Sequence, residues 1–192
     1  TLTSLNLTRN KINERGGEEI GNALKINSTL ILLNLCFNEI KGKGGEEIGN
    51  ALKVNSTLTS LNLSRNKNFF AQGSNMIGGT EAITLALATN STLRTLELCE
   101  TSMYLDIKIR LFKTLITNTT LENLKLGGNC LTNEESVELS KTLKINSTLT
   151  SLNLSSCAIN VTRGKQIIEA LADNSALRLL NLDLYGNQIG NE

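Results

Sequence analysis

One decapeptide occurs twice unchanged, Asn-Ser-Thr-Leu-Thr-Ser-Leu-Asn-Leu-Ser, from Asn55 to Ser64 and from Asn146 to Ser155. Looser copies fill the rest of the chain. The first leucine of each copy falls at Leu2, Leu30, Leu58, Leu93, Leu121, Leu149 and Leu177, with successive separations of 28, 28, 35, 28, 28 and 28. A fixed period of this length constrains the fold to a solenoid, because one unit cannot bury its leucines without a neighbour stacked against it. The unbroken period makes residues 1–192 a single domain of six full repeats and a truncated seventh. The sequence opens inside a repeat without Met and has no polar capping copy, so it is expected to be a piece of a longer protein with apolar ends.

Within one copy, Leu33 and Leu35 alternate with Leu32, Asn34 and Cys36, the period of two that predicts a strand with one buried face. Successive strands must be parallel, since the same connection reaches each of them. Asn38 closes the run, with Asn10, Asn66 and Asn129 in the equivalent place, where an amide can satisfy backbone groups as the chain turns. An apolar anchor follows (Ile12, Ile40, Leu131, Ile159 or Ile189), then a helix marked by Ile20-x-x-Ala23-Leu24 and its counterparts, whose spacing puts all three residues on one face. Asn27, Asn55, Asn90, Asn118, Asn146 and Asn174 end the helices, where a left-handed cap would tolerate Asn.

The pattern L-x-x-L-x-L-x-x-N/C, complete in Leu2 to Asn10, Leu58 to Asn66, Leu121 to Asn129 and Leu149 to Cys157, resembles the ribonuclease-inhibitor-like leucine-rich repeats. The resemblance covers essentially the whole chain. It implies an α/β leucine-rich-repeat solenoid, a curved parallel sheet on the concave side with helices on the convex side. It also implies protein binding, as in ribonuclease inhibitor, in NOD-like receptor sensor regions and in activators of the Ran GTPase. The sensor segment is the most specific expectation. A Ran-type activator fragment would carry a strongly acidic tail, whereas the longest acidic run here is two residues. An extracellular recognition module would show shorter repeats and cysteine-rich caps.

Departures from the pattern carry the individual information. The third copy is seven residues longer, and Asn68 stands where the apolar anchor belongs. The added segment, 67–77, starts at the strand-to-helix turn, and Phe69 and Phe70 within it either project from the rim toward a partner or fold back to replace the anchor. Thr101 replaces the fourth turn Asn, so that turn is expected to be less well satisfied. The seventh copy fits better from Leu179 than from Leu177.

Composition narrows the chemistry. There is no His, which removes Ser-His-Asp and Cys-His catalysis and the commonest transition-metal ligand, and the chain is read as non-enzymatic, with no cofactor and no metal. Glu18-Glu19, Glu46-Glu47 and Glu134-Glu135 recur in register and are expected in first helical turns, facing the helix dipole. Gly42-Lys43-Gly44-Gly45 lacks phosphate-loop spacing and is read as a turn. A net charge of +1 supplies no global attraction for nucleic acid or membrane, and no apolar run is long enough to span a bilayer. A small-molecule ligand is not indicated, which leaves a protein partner. Cys36, Cys99, Cys130 and Cys157 follow repeat geometry and are read as reduced packing residues in a cytoplasmic protein, and the nine Asn-x-Ser/Thr sequences arise mostly from the repeat itself.

The candidate binding surface is the exposed row of the strand layer: Asn6, Asn34, Asn62, Glu97, Lys125 and Asn153 in the central column. Most of this face is small and uncharged. Arg9, Phe37, Arg65 and Glu100, at the next outward position of four successive copies, are the stronger anchors, with Phe69 and Phe70 on the adjoining rim.

Overall fold

The computed structural model describes residues 1–66, 78–177 and 180–190, with the side chain of Leu105 excepted. Among these residues seven three-residue strands form one parallel sheet in chain order: β1 (Ser4–Asn6), β2 (Leu32–Asn34), β3 (Ser60–Asn62), β4 (Thr95–Glu97), β5 (Asn123–Lys125), β6 (Ser151–Asn153) and β7 (Asn181–Asp183). Between them lie α1 (Glu14–Ile26), α2 (Gly42–Leu52), α3 (Gly79–Leu87), α4 (Leu105–Thr117), α5 (Asn133–Ile145) and α6 (Val161–Ala172). Helix and strand alternate throughout, and the single open sheet is that of an α/β leucine-rich-repeat solenoid.

Each strand is centred on a leucine whose in-register partners are the leucines of the copies on either side: Leu33 pairs with Leu5 and Leu61, and Leu124 with Leu96 and Leu152. Those of the interior copies, and the next leucine two positions on, are buried, whereas Leu32 on the opposite face is 45% exposed. The period of two therefore gives the correct faces. In the seventh copy it is Leu182 that pairs with Leu152, the register expected from an onset at Leu179. Helical residues Ile48, Ala51 and Leu52 close the core from the other side, as do Ile83, Ala86 and Leu87. In α1, Ala23 is exposed and Ile20 only half-buried, because the first repeat has a neighbour on one side alone.

Asparagine holds both corners of most repeats, with Thr101 and Cys157 as the strand-end exceptions. At the strand end, Asn38 Oδ1 accepts from the backbone N–H of Asn10 and Ile12, while its Nδ2 donates to the carbonyls of Leu7, Leu35 and Cys36. Asn66, Asn129 and Asn187 repeat the arrangement, tying each copy to the one before. Thr101 is fully buried, and its hydroxyl donates to Leu98 O within its own turn. Cys157 substitutes weakly: its Sγ lies 3.5 Å from Leu126 O and from Ser155 O, and Leu131 N–H turns to the Cys157 carbonyl instead.

The helix-end asparagines differ from expectation. Asn27, Asn118 and Asn146 are extended, with φ near −70° (−74°, −73° and −60°), not left-handed. Asn55, for example, is buried, accepts from Thr57 N–H and Leu58 N–H and donates to Leu24 O and Asn27 O of the preceding copy. Asn90, Asn118, Asn146 and Asn174 also reach back to the previous helix end. They form a second ladder, which satisfies carbonyls that a helix terminus leaves open. Burial keeps the Asn55, Asn90, Asn118 and Asn146 amides away from any glycosylating enzyme while the chain is folded, whereas Asn27 is exposed.

Two further expectations are corrected. Glu18, Glu19, Glu46 and Glu47 lie beyond the first helical turn, because α1 and α2 begin earlier than the glutamates suggest. Glu18 pairs with Lys43 and Glu47 with Lys25, across the helices. Gly42 to Gly45 is the first turn of α2 rather than a loop, and its glycines are spacing residues. A Cβ on Gly44 would lie 2.7 Å from Glu14 O, one on Gly21 2.6 Å from the Glu47 carbonyl carbon, and one on Gly49 2.6 Å from Ala82, so α1, α2 and α3 pack backbone against backbone. Between α4 and α5 the join is different. Lys108 and Glu135, both buried, form an ion pair at 2.9 Å; Lys108 Nζ also donates to Cys130 O, and Glu135 completes a capping box with Thr132.

Candidate protein-binding surface

Strand geometry places the central column on the open face, and local bonding limits what it offers. Asn6, Asn34, Asn62 and Asn153 each turn Oδ1 onto the backbone N–H two residues on, at 2.9–3.1 Å, so half of each amide is committed to the turn. The amide nitrogens of Asn6, Asn34 and Asn62 make no hydrogen bond among the described residues and remain available as donors. Glu97 and Lys125 pair at 2.9 Å, and Asn153 Nδ2 donates to Asp183 at 2.6 Å. The first four copies enclose a shallow hollow of about 240 Å³ lined by Ser4, Asn6, Leu32, Asn34, Asn62 and Glu97. Asp183 extends the column, a residue the sequence could have supplied once the seventh copy is started at Leu179.

The rim is the more distinctive part. Arg9, Phe37, Arg65, Glu100, Gly128, Ser156 and Gly186 occupy one position in the seven copies, just before the turn residue, and all have positive φ, between 52° and 73°. Only two are glycine. For any other residue this backbone costs about 1–2 kcal/mol. The two glycines in this column were the sequence signal for a left-handed position.

Three of these side chains stack. The guanidinium carbon of Arg9 lies 4.5 Å from the Phe37 ring centroid and that of Arg65 4.4 Å, one from the copy before and one from the copy after. Arg65 continues the row by donating to Glu100, with Nε at 2.8 Å from Oε1. The structure thus joins Arg9, Phe37, Arg65 and Glu100 into one contiguous ladder beside the central column. Phe69, Phe70 and Asn68 lie outside the described residues.

All four cysteines are free thiols. Cys157 is buried, Cys36 and Cys99 are half-buried, and Cys130 is exposed rather than packed. Burial raises the Cys36 and Cys99 thiols and pushes Cys157 up to about 11, so these three stay protonated at neutral pH and are poor nucleophiles. Among the described residues no helix is long and apolar enough to cross a membrane, and no cluster of metal-ligating side chains occurs.

A family model described as Leucine Rich repeat matches residues 1–21, 27–49, 54–69, 117–134 and 146–162, leaving out the fourth and seventh copies. No curated protein matches the sequence. Among solved structures, the C-terminal domain of tropomodulin from Caenorhabditis elegans aligns with a TM-score of 0.66 at 14% identity, over 82% of this chain and 92% of that one. Leiomodin-1 Actin-Binding Site 2 aligns with 0.51 at 23% identity, over 90% and 80%. LegL7 from Legionella pneumophila, a leucine-rich-repeat-containing protein, aligns with 0.52 at 21% identity, over 99% and 68%. At such identities the likeness concerns the fold. Repeat pattern, sheet and family match agree, and the chain belongs to the leucine-rich-repeat proteins, with helix-bearing repeats of the ribonuclease-inhibitor-like kind.

Proposed function

We propose that this chain is a non-enzymatic scaffold that binds another protein across its concave sheet and the adjoining rim. The observation that carries the reading is the row Arg9, Phe37, Arg65 and Glu100: side chains rich in contact area and charge, set on backbone that glycine would occupy at lower cost. Rigidity comes from the two asparagine ladders, so a partner meets a preformed surface and little ordering entropy is lost on binding. The more specific reading is a sensor segment like those of NOD-like receptors, working in the cytoplasm. The repeat type and the four free thiols support it.

The test is cross-linking of the chain to proteins of a cytosolic extract, with purified actin as a separate arm because the matched segment of leiomodin-1 is named for actin binding. Cross-links should map to the central column or the rim, and Leu32→Asp on the concave face should abolish them. Cross-links confined to the convex helices would overturn the scaffold reading.

A further inference from the structure

The rim ladder has a chemical polarity that narrows its partner. In the first three copies the central column presents the amide donors of Asn6, Asn34 and Asn62, and the rim presents the cations Arg9 and Arg65 with Phe37 between them. Carboxylates enter this surface first in the fourth copy, with Glu97 and Glu100, already paired with Lys125 and Arg65, and again in the seventh with Asp183, which accepts from Asn153. Lys11 and Glu39 farther along the rim offset one another in charge. Arg9 has no carboxylate partner among the described residues.

Two guanidiniums held against one ring repel each other, and an anion placed over that edge would relieve the repulsion by bonding both. We infer, building on the scaffold reading, that Arg9, Phe37 and Arg65 form a recognition site for an acidic peptide segment of the partner protein. Its carboxylates bridge the two guanidiniums while Glu100 is displaced from Arg65, and its backbone carbonyls accept from the asparagine amides of the neighbouring column. A nucleic acid fits less well. The Arg9 and Arg65 guanidiniums already lie over the Phe37 ring where a base would have to stack, and two cations fall short of the run of phosphate contacts on which such binding depends.

The probe is a fluorescein-labelled decapeptide of alternating Glu and Gly, with Gln-Gly and Lys-Gly versions and an oligo-uridine of equal length, read by fluorescence anisotropy. The wild-type chain should bind the Glu peptide alone, more weakly as salt is raised. Arg9→Gly and Arg65→Gly should each weaken it by about tenfold, the worth of a charge-assisted hydrogen bond. Their melting temperatures should hold or rise, since glycine suits the left-handed backbone. Glu100→Gln, which releases Arg65, should tighten binding several-fold.

Equal affinity for the Gln peptide, tighter binding of the oligo-uridine, glycine variants that bind like wild type, or no gain from Glu100→Gln would each overturn the inference. If the Glu peptide fails while cross-links to a protein still map to the concave face, only the inference falls. Cross-links that avoid that face remove the scaffold reading as well.

Discussion

At the scale of single residues, stability rests on leucines that point inward and asparagines that bond in two directions. Leu63 is fully buried, so Leu63→Ala should cost about 2–5 kcal/mol, from lost transfer energy plus the cavity left behind. Asn62 points outward with one bond to Ser64 N–H, and Asn62→Ala should cost about 1 kcal/mol or less. Urea denaturation of both variants checks this, and equal losses would reverse the assigned faces. Asn38 accepts from and donates to the copy before, whereas Asn55 accepts within its own loop and donates to the copy before, so each change to Ala leaves several backbone groups unpaired at about 1–3 kcal/mol per group. The same denaturation series should find Asn38→Ala and Asn55→Ala similarly damaging. A silent Asn55→Ala would mean that the helix-end amides matter only for backbone conformation. Thr101 makes the bond within its turn and reaches Asn129 of the next copy only at 3.5 Å, with no amide to bond the copy before, and Thr101→Asn should stabilise the chain.

Between elements, the helical layer changes its mode of packing along the chain. From α1 to α3 glycines bring the backbones together, whereas α4 and α5 are joined by the buried pair Lys108 and Glu135. Such a pair costs desolvation on both sides, and breaking it strands a charge. Lys108→Met alone should therefore lose about 3–5 kcal/mol, while Lys108→Met with Glu135→Leu should fall close to wild type. Thermal melts of the two variants decide the matter: a double variant as unstable as the single one would show that Glu135 acts mainly through its capping box with Thr132.

For the whole molecule, neighbour-only contacts make stability a property of position in the array. Strands β3 to β5 have partners on both sides and wholly buried leucines, whereas Leu5 and Leu182 on the outer strands are half-buried. Amide hydrogen exchange should accordingly be slowest in β3 to β5 and faster toward β1 and β7. Uniform protection would mean that the array opens as one unit. The in-register stacking of copies lets side chains from successive repeats, such as Arg9, Phe37 and Arg65, keep a fixed spacing.

The sequence by itself determined the period, the parallel sheet, the inward face of each strand, the strand-end asparagine ladder and the late onset of the seventh copy. These follow from residue spacing within a copy and from its recurrence. The left-handed rim column left only a trace in the sequence, Gly128 and Gly186 in two of seven copies. The tertiary structure alone decided the second asparagine ladder, the glycine contacts of α1 to α3, the Lys108–Glu135 pair and the stack of Arg9 and Arg65 on Phe37. In each of these the partners belong to different copies, typically some 22 to 31 residues apart, as Lys108 and Cys130 or Asn55 and Leu24 are. No local pattern records which side chains the stacking of copies brings within hydrogen-bond or van der Waals reach.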